Sequence, residues 1–143
     1  MTSETLNDAD GEAEEKRARQ EAVKGSSSEA RAVVAKLFRA LGHPARLALL
    51  ELLSTGEHTG TDCVRHVGLS QGRVATHLAC LTDCGFVVAT RHGAFVRYRI
   101  ADSRVLEAMK LGRGLAADNA ANLAACTRID PFPPARASAD RAP

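Results

Sequence analysis

The sequence has no tryptophan, one tyrosine and four phenylalanines, so aromatics make up only 3% of its 143 residues. A core built around large rings is excluded, and Leu, Val, Ala and Ile must fill the interior, as in small helical domains. No apolar run approaches membrane-spanning length, so no contact with a membrane is expected. None follows Met1 either, so no secretory signal is expected and the cytoplasm is the expected compartment. No internal repeat is visible.

Hydrophobic residues still reach 45%, enough for one modest domain with tails. A formal charge of +2 conceals an asymmetry. Residues 1–29 carry eight acids against four bases, and residues 30–130 carry thirteen bases against eight acids. A basic body behind an acidic tail suits a nucleic-acid binder. Four cysteines are present, at 63, 80, 84 and 126. In a reducing compartment they read as metal ligands, redox centres or small core residues before they read as disulfides.

The chain divides into an acidic tail (1–29), a folded region (30–130) and a Pro-rich tail (131–143). Both tails are expected to be disordered, apart from a frayed helix around Glu14–Val23. Val34, Leu37, Phe38 and Leu41 recur at helical spacing. Gly42-His43-Pro44 breaks that helix, and Pro44 suits the first position of the next, with Leu47, Leu50 and Leu53 inward. A short helix over Thr61–Val67 follows, with Cys63, Val64 and Val67 as core. Gly68-Leu69 turns the chain, and Ser70 is a good N-cap for a helix burying Val74, Leu78 and Leu81 and ending at Gly85. The period then changes to two. Phe86–Arg91 and Phe95–Ile100 read as strands joined by His92-Gly93-Ala94, with Val96, Tyr98 and Ile100 on one face. Asp102 or Ser103 can cap a last helix to about Cys126, with Val105, Met109, Leu115 and Leu123 apolar. This order is that of a winged helix-turn-helix, mainly helical with a β-hairpin wing. Its terminal helices have nowhere to bury their stripes in so small a body, and a homodimer formed through them is the simplest solution.

The helix after the turn carries the chemistry. Cys80 and Cys84, four residues apart, would place both sulfurs on one face with Cβ atoms about 5–6 Å apart, able to converge on one soft ion. Arg73, His77, Cys80 and Cys84 share a side, and Val74, Leu78 and Leu81 share another, so the thiols lie off the core stripe. Taken alone, the pair could also be two small helix residues, one of them at the cap. Ser70, Gln71, Arg73, Thr76 and His77 are the early positions of this helix. Gln and Arg there can make bidentate contacts to base edges in the major groove of duplex DNA. Arg91 and Arg97 on the wing are candidate phosphate contacts, which position without reading sequence.

Leu37-Phe-Arg-Ala-Leu-Gly-His-Pro-Ala-Arg46, Gly68-Leu-Ser-Gln71 with His77-Leu78, and Gly85-Phe-Val with Arg91-His-Gly93 and Val96-Arg-Tyr98 resemble the ArsR/SmtB family of metal-responsive repressors. The likeness covers about residues 33–106. His43 departs from it, standing where that family has a capping Asp. Of the family's alternative metal sites, the Cys-Val-Cys-Asp run is replaced by residues 59–62, Thr-Gly-Thr-Asp. A site on the last helix keeps Asp102 but has Arg104 and Leu115 for ligands. What remains resembles the cadmium- and lead-sensing, CmtR-type branch, which has Leu-x-Cys-Leu-x-x-Cys-Gly (here residues 78–85) and a further cysteine in its C-terminal region, here Cys126. The resemblance implies a three-sulfur site of Cys80, Cys84 and Cys126, the last from the same or from the partner subunit; Cys63, in the place of an apolar helix residue, reads as core.

The resemblance thus implies a homodimeric repressor that holds operator DNA when metal-free. Cd(II) or Pb(II), or else Hg(II) or As(III), would release it and derepress an efflux or detoxification gene. Three alternatives use the same thiols. A redox or persulfide sensor would keep the DNA binding and change the signal. A structural zinc site would make chelation unfold the protein. A thiol enzyme would need a substrate pocket, of which the sequence shows no sign, so no enzymatic activity and no small organic substrate is expected.

Overall fold

The computed structural model describes residues 4–25 and 27–129; the Pro-rich tail lies outside the described residues. The described chain forms two units, one up to Arg39 and one from Ala40 onward. In the first, α1 (Glu4–Gly25) is a single helix where a disordered tail with a short helix was expected. Its described side chains are all exposed, so no burial stabilises it. Ala, Glu, Lys, Arg and Gln dominate it and proline is absent, so intrinsic propensity carries the helix. Glu15 and Arg19, one turn apart at 2.5 Å, add an exposed pair. Helix α2 (Ser27–Leu41) follows and leaves Val33, Val34, Leu37 and Phe38 exposed, Phe38 by 63%.

The second unit begins with the last residues of α2. Helix α3 (Pro44–Leu53) has Pro44 at its first position, as its fixed φ favours, and buries Ala45, Leu49, Leu50 and Leu53. A two-residue strand β1 (His58–Thr59) leads into α4 (Gly60–Val67). Thr59 Oγ accepts from the Asp62 amide and Asp62 Oδ2 accepts from the Thr59 amide, a reciprocal cap. The Thr59 amide also holds the Asp62 carboxyl below the ordinary carboxylate range. Gly68, at φ +74°, ends α4 in the left-handed region that a side chain disfavours.

Helix α5 (Gln71–Asp83) is capped at its start by Ser70, whose Oγ accepts from the Arg73 amide at 3.3 Å. At its end the Gly85 amide reaches the Thr82 carbonyl and the Phe86 amide reaches the Leu81 carbonyl, both at 3.0 Å. That pair of bonds, with Gly85 at φ +80°, is a Schellman closure. Strands β2 (Val87–His92) and β3 (Phe95–Ile100) pair antiparallel with Ala89 opposite Tyr98. Strand β1 pairs with the other edge of β3, giving the order β1-β3-β2.

Past the sheet, the expected single terminal helix is two, α6 (Arg104–Asp118) and α7 (Ala120–Ala125). Asn119 interrupts them at φ −119°, ψ 20°, outside helical space, with its side-chain amide donating to the Leu115 carbonyl. Asp102, not Ser103, caps α6, its Oδ1 accepting from the Arg104 amide at 3.0 Å. Val105 and Met109 are buried, while Leu111, Leu115 and Leu123 are exposed, Leu115 by 68%.

The core joins α3, α4, α5, β2 and α6 through Leu49, Leu50, Leu53, Cys63, Val74, Leu78, Leu81, Val87, Val105 and Met109. Leu81 is fully buried at the end of α5. Leu81→Ala is expected to lower unfolding free energy by about 2–5 kcal/mol through lost transfer energy and a residual cavity. Urea denaturation with an unchanged m-value checks this; a loss under 1 kcal/mol would contradict close packing there.

Candidate nucleic-acid interface and thiol site

Burial of Val74, Leu78 and Leu81 turns the opposite side of α5 outward. Ser70, Gln71, Arg73 and Thr76 are exposed there, at the start of the second helix of a helix-turn-helix. Thr76 Oγ donates to the Gly72 carbonyl at 3.0 Å, which engages its proton and leaves it able to accept. His77 differs: it is half-buried, with Nδ1 3.3 Å from Arg46 Nη1. Burial first, then His43, Arg46 and Arg73, hold its pKa below the ordinary histidine value.

The hairpin stands beside α5 as a wing. The register puts Arg91 opposite Val96 and Arg97 opposite Thr90. The two exposed arginines therefore lie on opposite faces, Arg97 sharing its face with Arg99. A groove of about 320 Å³ separates α5 from the wing, lined by Gln71, Ala75, Phe95 and Tyr98 among others. Among the described residues no basic side chain lines this groove; Arg91, Arg97 and Arg99 stand exposed elsewhere on the wing.

Cys80 and Cys84 stand at the other end of α5. The Cys84 amide donates to the Cys80 carbonyl at 3.0 Å, so the two residues are stacked one turn apart. Cys80 is half-buried and Cys84 exposed. Cys126, exposed, ends α7. Among the described residues no group of three or more His, Cys, Asp or Glu side chains is placed to hold one metal ion. The fold therefore brings Cys80 and Cys84 together but does not bring Cys126 to them within one chain. None of the four cysteines is disulfide-bonded. As donors, accessible thiols suit soft ions and not hard ones.

Cys63 is core, as its apolar neighbours in sequence indicated. It is fully buried, and burial, followed by the neighbouring Asp62 charge, pushes its thiol up to about 11. Sequence reasoning missed Arg46, whose bonds to Ala40 and His77 cross 6 and 31 residues. Only the thiolate reacts with alkylating agents. A short native pulse of iodoacetamide at neutral pH is expected to label Cys80, Cys84 and Cys126, with Cys63 labelled only after denaturation. Native labelling of Cys63 would contradict its enclosure.

Comparison with known proteins bears on the whole arrangement. The family described as bacterial regulatory protein, arsR family, matches residues 43–88. Over 95 residues the chain is 54% identical to a probable mercury resistance operon repressor of Streptomyces lividans, covering 66% of this chain and 76% of that protein. Over 76 residues it is 42% identical to the transcriptional regulator CmtR of Mycobacterium tuberculosis, covering 53% of this chain and 64% of that protein. A homodimeric winged helix-turn-helix DNA-binding domain from Mycobacterium bovis, solved by NMR, superposes with a TM-score of 0.56. The superposition has 30% identity and covers 66% of this chain and 88% of that one.

Proposed function

The chain belongs to the ArsR family of transcriptional repressors, and we propose that it acts as a homodimeric soft-metal sensor, releasing operator DNA when its cysteines are ligated. Members of this kind are DNA-binding regulators and not enzymes. The observation that carries the reading is the position of Cys80 and Cys84: two cysteines one turn apart at the end of the same helix that presents Gln71, Arg73 and Thr76.

Ser70, Gln71, Arg73 and Thr76 are the proposed contacts in the major groove, with Arg91 and Arg97 on flanking phosphates. The exposed leucines of α6 and α7 and the exposed apolar residues of α2 are the surfaces a second subunit would cover. Their coverage is supported by the homodimeric relative of the same fold. Two reading helices would then meet successive half-sites about 34–36 Å apart.

Cys80 and Cys84 would hold two positions of the ion and the partner subunit's Cys126 the third; among the described residues of one chain no such trio is assembled. Drawing the last turn of α5 toward a sulfur on another element tilts the reading helix away from its half-site spacing. The ion supplies only soft Lewis acidity; the helix supplies the displacement. Because the stronger likeness is to a protein named for mercury, Hg(II) ranks ahead of the Cd(II) and Pb(II) that the motif alone favours. Three thiolates also suit As(III).

Fluorescence anisotropy of the reduced chain on duplex DNA from immediately upstream of its own coding region tests this. Metal-free binding is expected to weaken by roughly 5–150-fold with Hg(II), Cd(II), Pb(II) or As(III). Cys80→Ser and Cys84→Ser should each retain DNA binding and lose that response. Affinity indifferent to all four ions, but lost on oxidation, would overturn the metal reading in favour of a redox sensor.

A further inference from the structure

The guanidinium of Arg46, in the first turn of α3, reaches two elements at once. Its Nε donates to the Ala40 carbonyl at the end of α2, and its Nη1 meets His77 Nδ1 on α5 at 3.3 Å. The His77 ring lies tilted by 44° against His43, with centroids 4.4 Å apart. His43 in turn accepts the Ala45 amide through its own Nδ1 at 3.1 Å, which is the cap of α3. Arginine can only donate, and so can a backbone amide. Both histidines must therefore be neutral, each with its proton on Nε2.

The buried side chains of α5 are Val74, Leu78 and Leu81, and apolar burial is non-directional. Such burial chooses which side of the helix faces outward but sets its exact rotation less sharply than a directional bond does. The Arg46–His77 bond is directional, and it acts one turn before Cys80. Resting on the reading of the chain as a DNA-binding repressor, we propose that His77 is a positioning residue: bonded to Arg46, it fixes the rotation of α5 and holds Gln71, Arg73 and Thr76 at the bases without touching DNA itself.

The charged and titratable groups facing His77 are the cap residue His43, Arg46 from α3 and Arg73 from α5, and those facing His43 are Arg46 and His77. Burial foremost holds both rings below the ordinary value of 6.5, followed by Arg46 for His43 and by His43, Arg46 and Arg73 for His77. The folded protein thus binds fewer protons than the unfolded chain just below pH 6.5. The bond's contribution is complete above that pH and declines as the solution is acidified through it. A histidine touching phosphate would behave oppositely, gaining charge and affinity in acid.

The test compares three variants on the upstream duplex, metal-free, from pH 8 to pH 5.5, with folding checked by circular dichroism. In His77→Asn the amide oxygen takes the place of Nδ1; in His77→Gln the amide lies where Nε2 stands; His77→Phe keeps only the ring. His77→Asn is expected to bind within about threefold of wild type at pH 7.5, and the other two to lose about tenfold. Acidification should weaken wild type relative to His77→Asn. Retention by His77→Gln with loss by His77→Asn would place the ring's outer nitrogen on DNA and overturn the proposal, as would equal affinity for all three. Nitrogen-15 NMR of the DNA-free protein decides the bond separately. An Nε2–H tautomer titrating below 6.5 supports it. An Nδ1–H tautomer overturns it, whereas failure of wild type to bind the duplex counts against the repressor reading instead.

Discussion

The burial of Val74, Leu78 and Leu81 is the constraint on which the rest depends. Once those three join Leu49, Leu50 and Cys63 in one apolar cluster, the outward side of α5 is determined. Ser70 sets where the helix begins and the closure at Gly85 sets where it ends, so the cysteines fall on its final turns. The proposed reading groups at one end and the thiols at the other then belong to a single helix. Coupling between them needs no chain of intermediates, since the two sites bias the same body.

The second constraint is what the chain leaves uncovered. Phe38 on α2 and Leu111, Leu115 and Leu123 near the C-terminus are too apolar and too exposed to face water without cost. A partner subunit would cover them and also fix the separation of two reading helices. A ligand shifts such an arrangement only by its differential affinity for the two geometries. A ligand set shared between subunits is well suited to that, because its own geometry changes when the subunits move.

Where the chain's structure comes from packing, the sequence was legible. The apolar stripe of α5 and Leu50 and Leu53 of α3 translate into buried side chains, Leu47 and the alternation of Val96, Tyr98 and Ile100 into half-buried ones, and the turn at Gly68-Leu69-Ser70 into the break between α4 and α5. What was not legible has other origins. Helix α1 has no apolar face and rests on propensity, and its polarity reads as disorder. Strand β1 is two residues long, with no pattern to recognise, and exists only because β3 offers it an edge. The break at Asn119 falls in an Ala- and Gly-rich stretch whose composition permits an unbroken helix. In the site, the stacking of Cys80 on Cys84 follows from their spacing. The engagement of His77 does not, because its partner Arg46 is distant in sequence and its helical face looks exposed on a wheel.

The central claim is that thiol ligation and operator binding compete for the geometry of α5. Thermodynamic linkage makes this measurable from the metal's side. The Hg(II) affinity of the reduced protein should be determined by competition with a thiol chelator, with and without saturating duplex from upstream of its own coding region. DNA must weaken metal binding by the same factor by which metal weakens DNA binding, roughly 5–150-fold. Equal Hg(II) affinity on and off the duplex would contradict the account, however tightly either ligand binds alone.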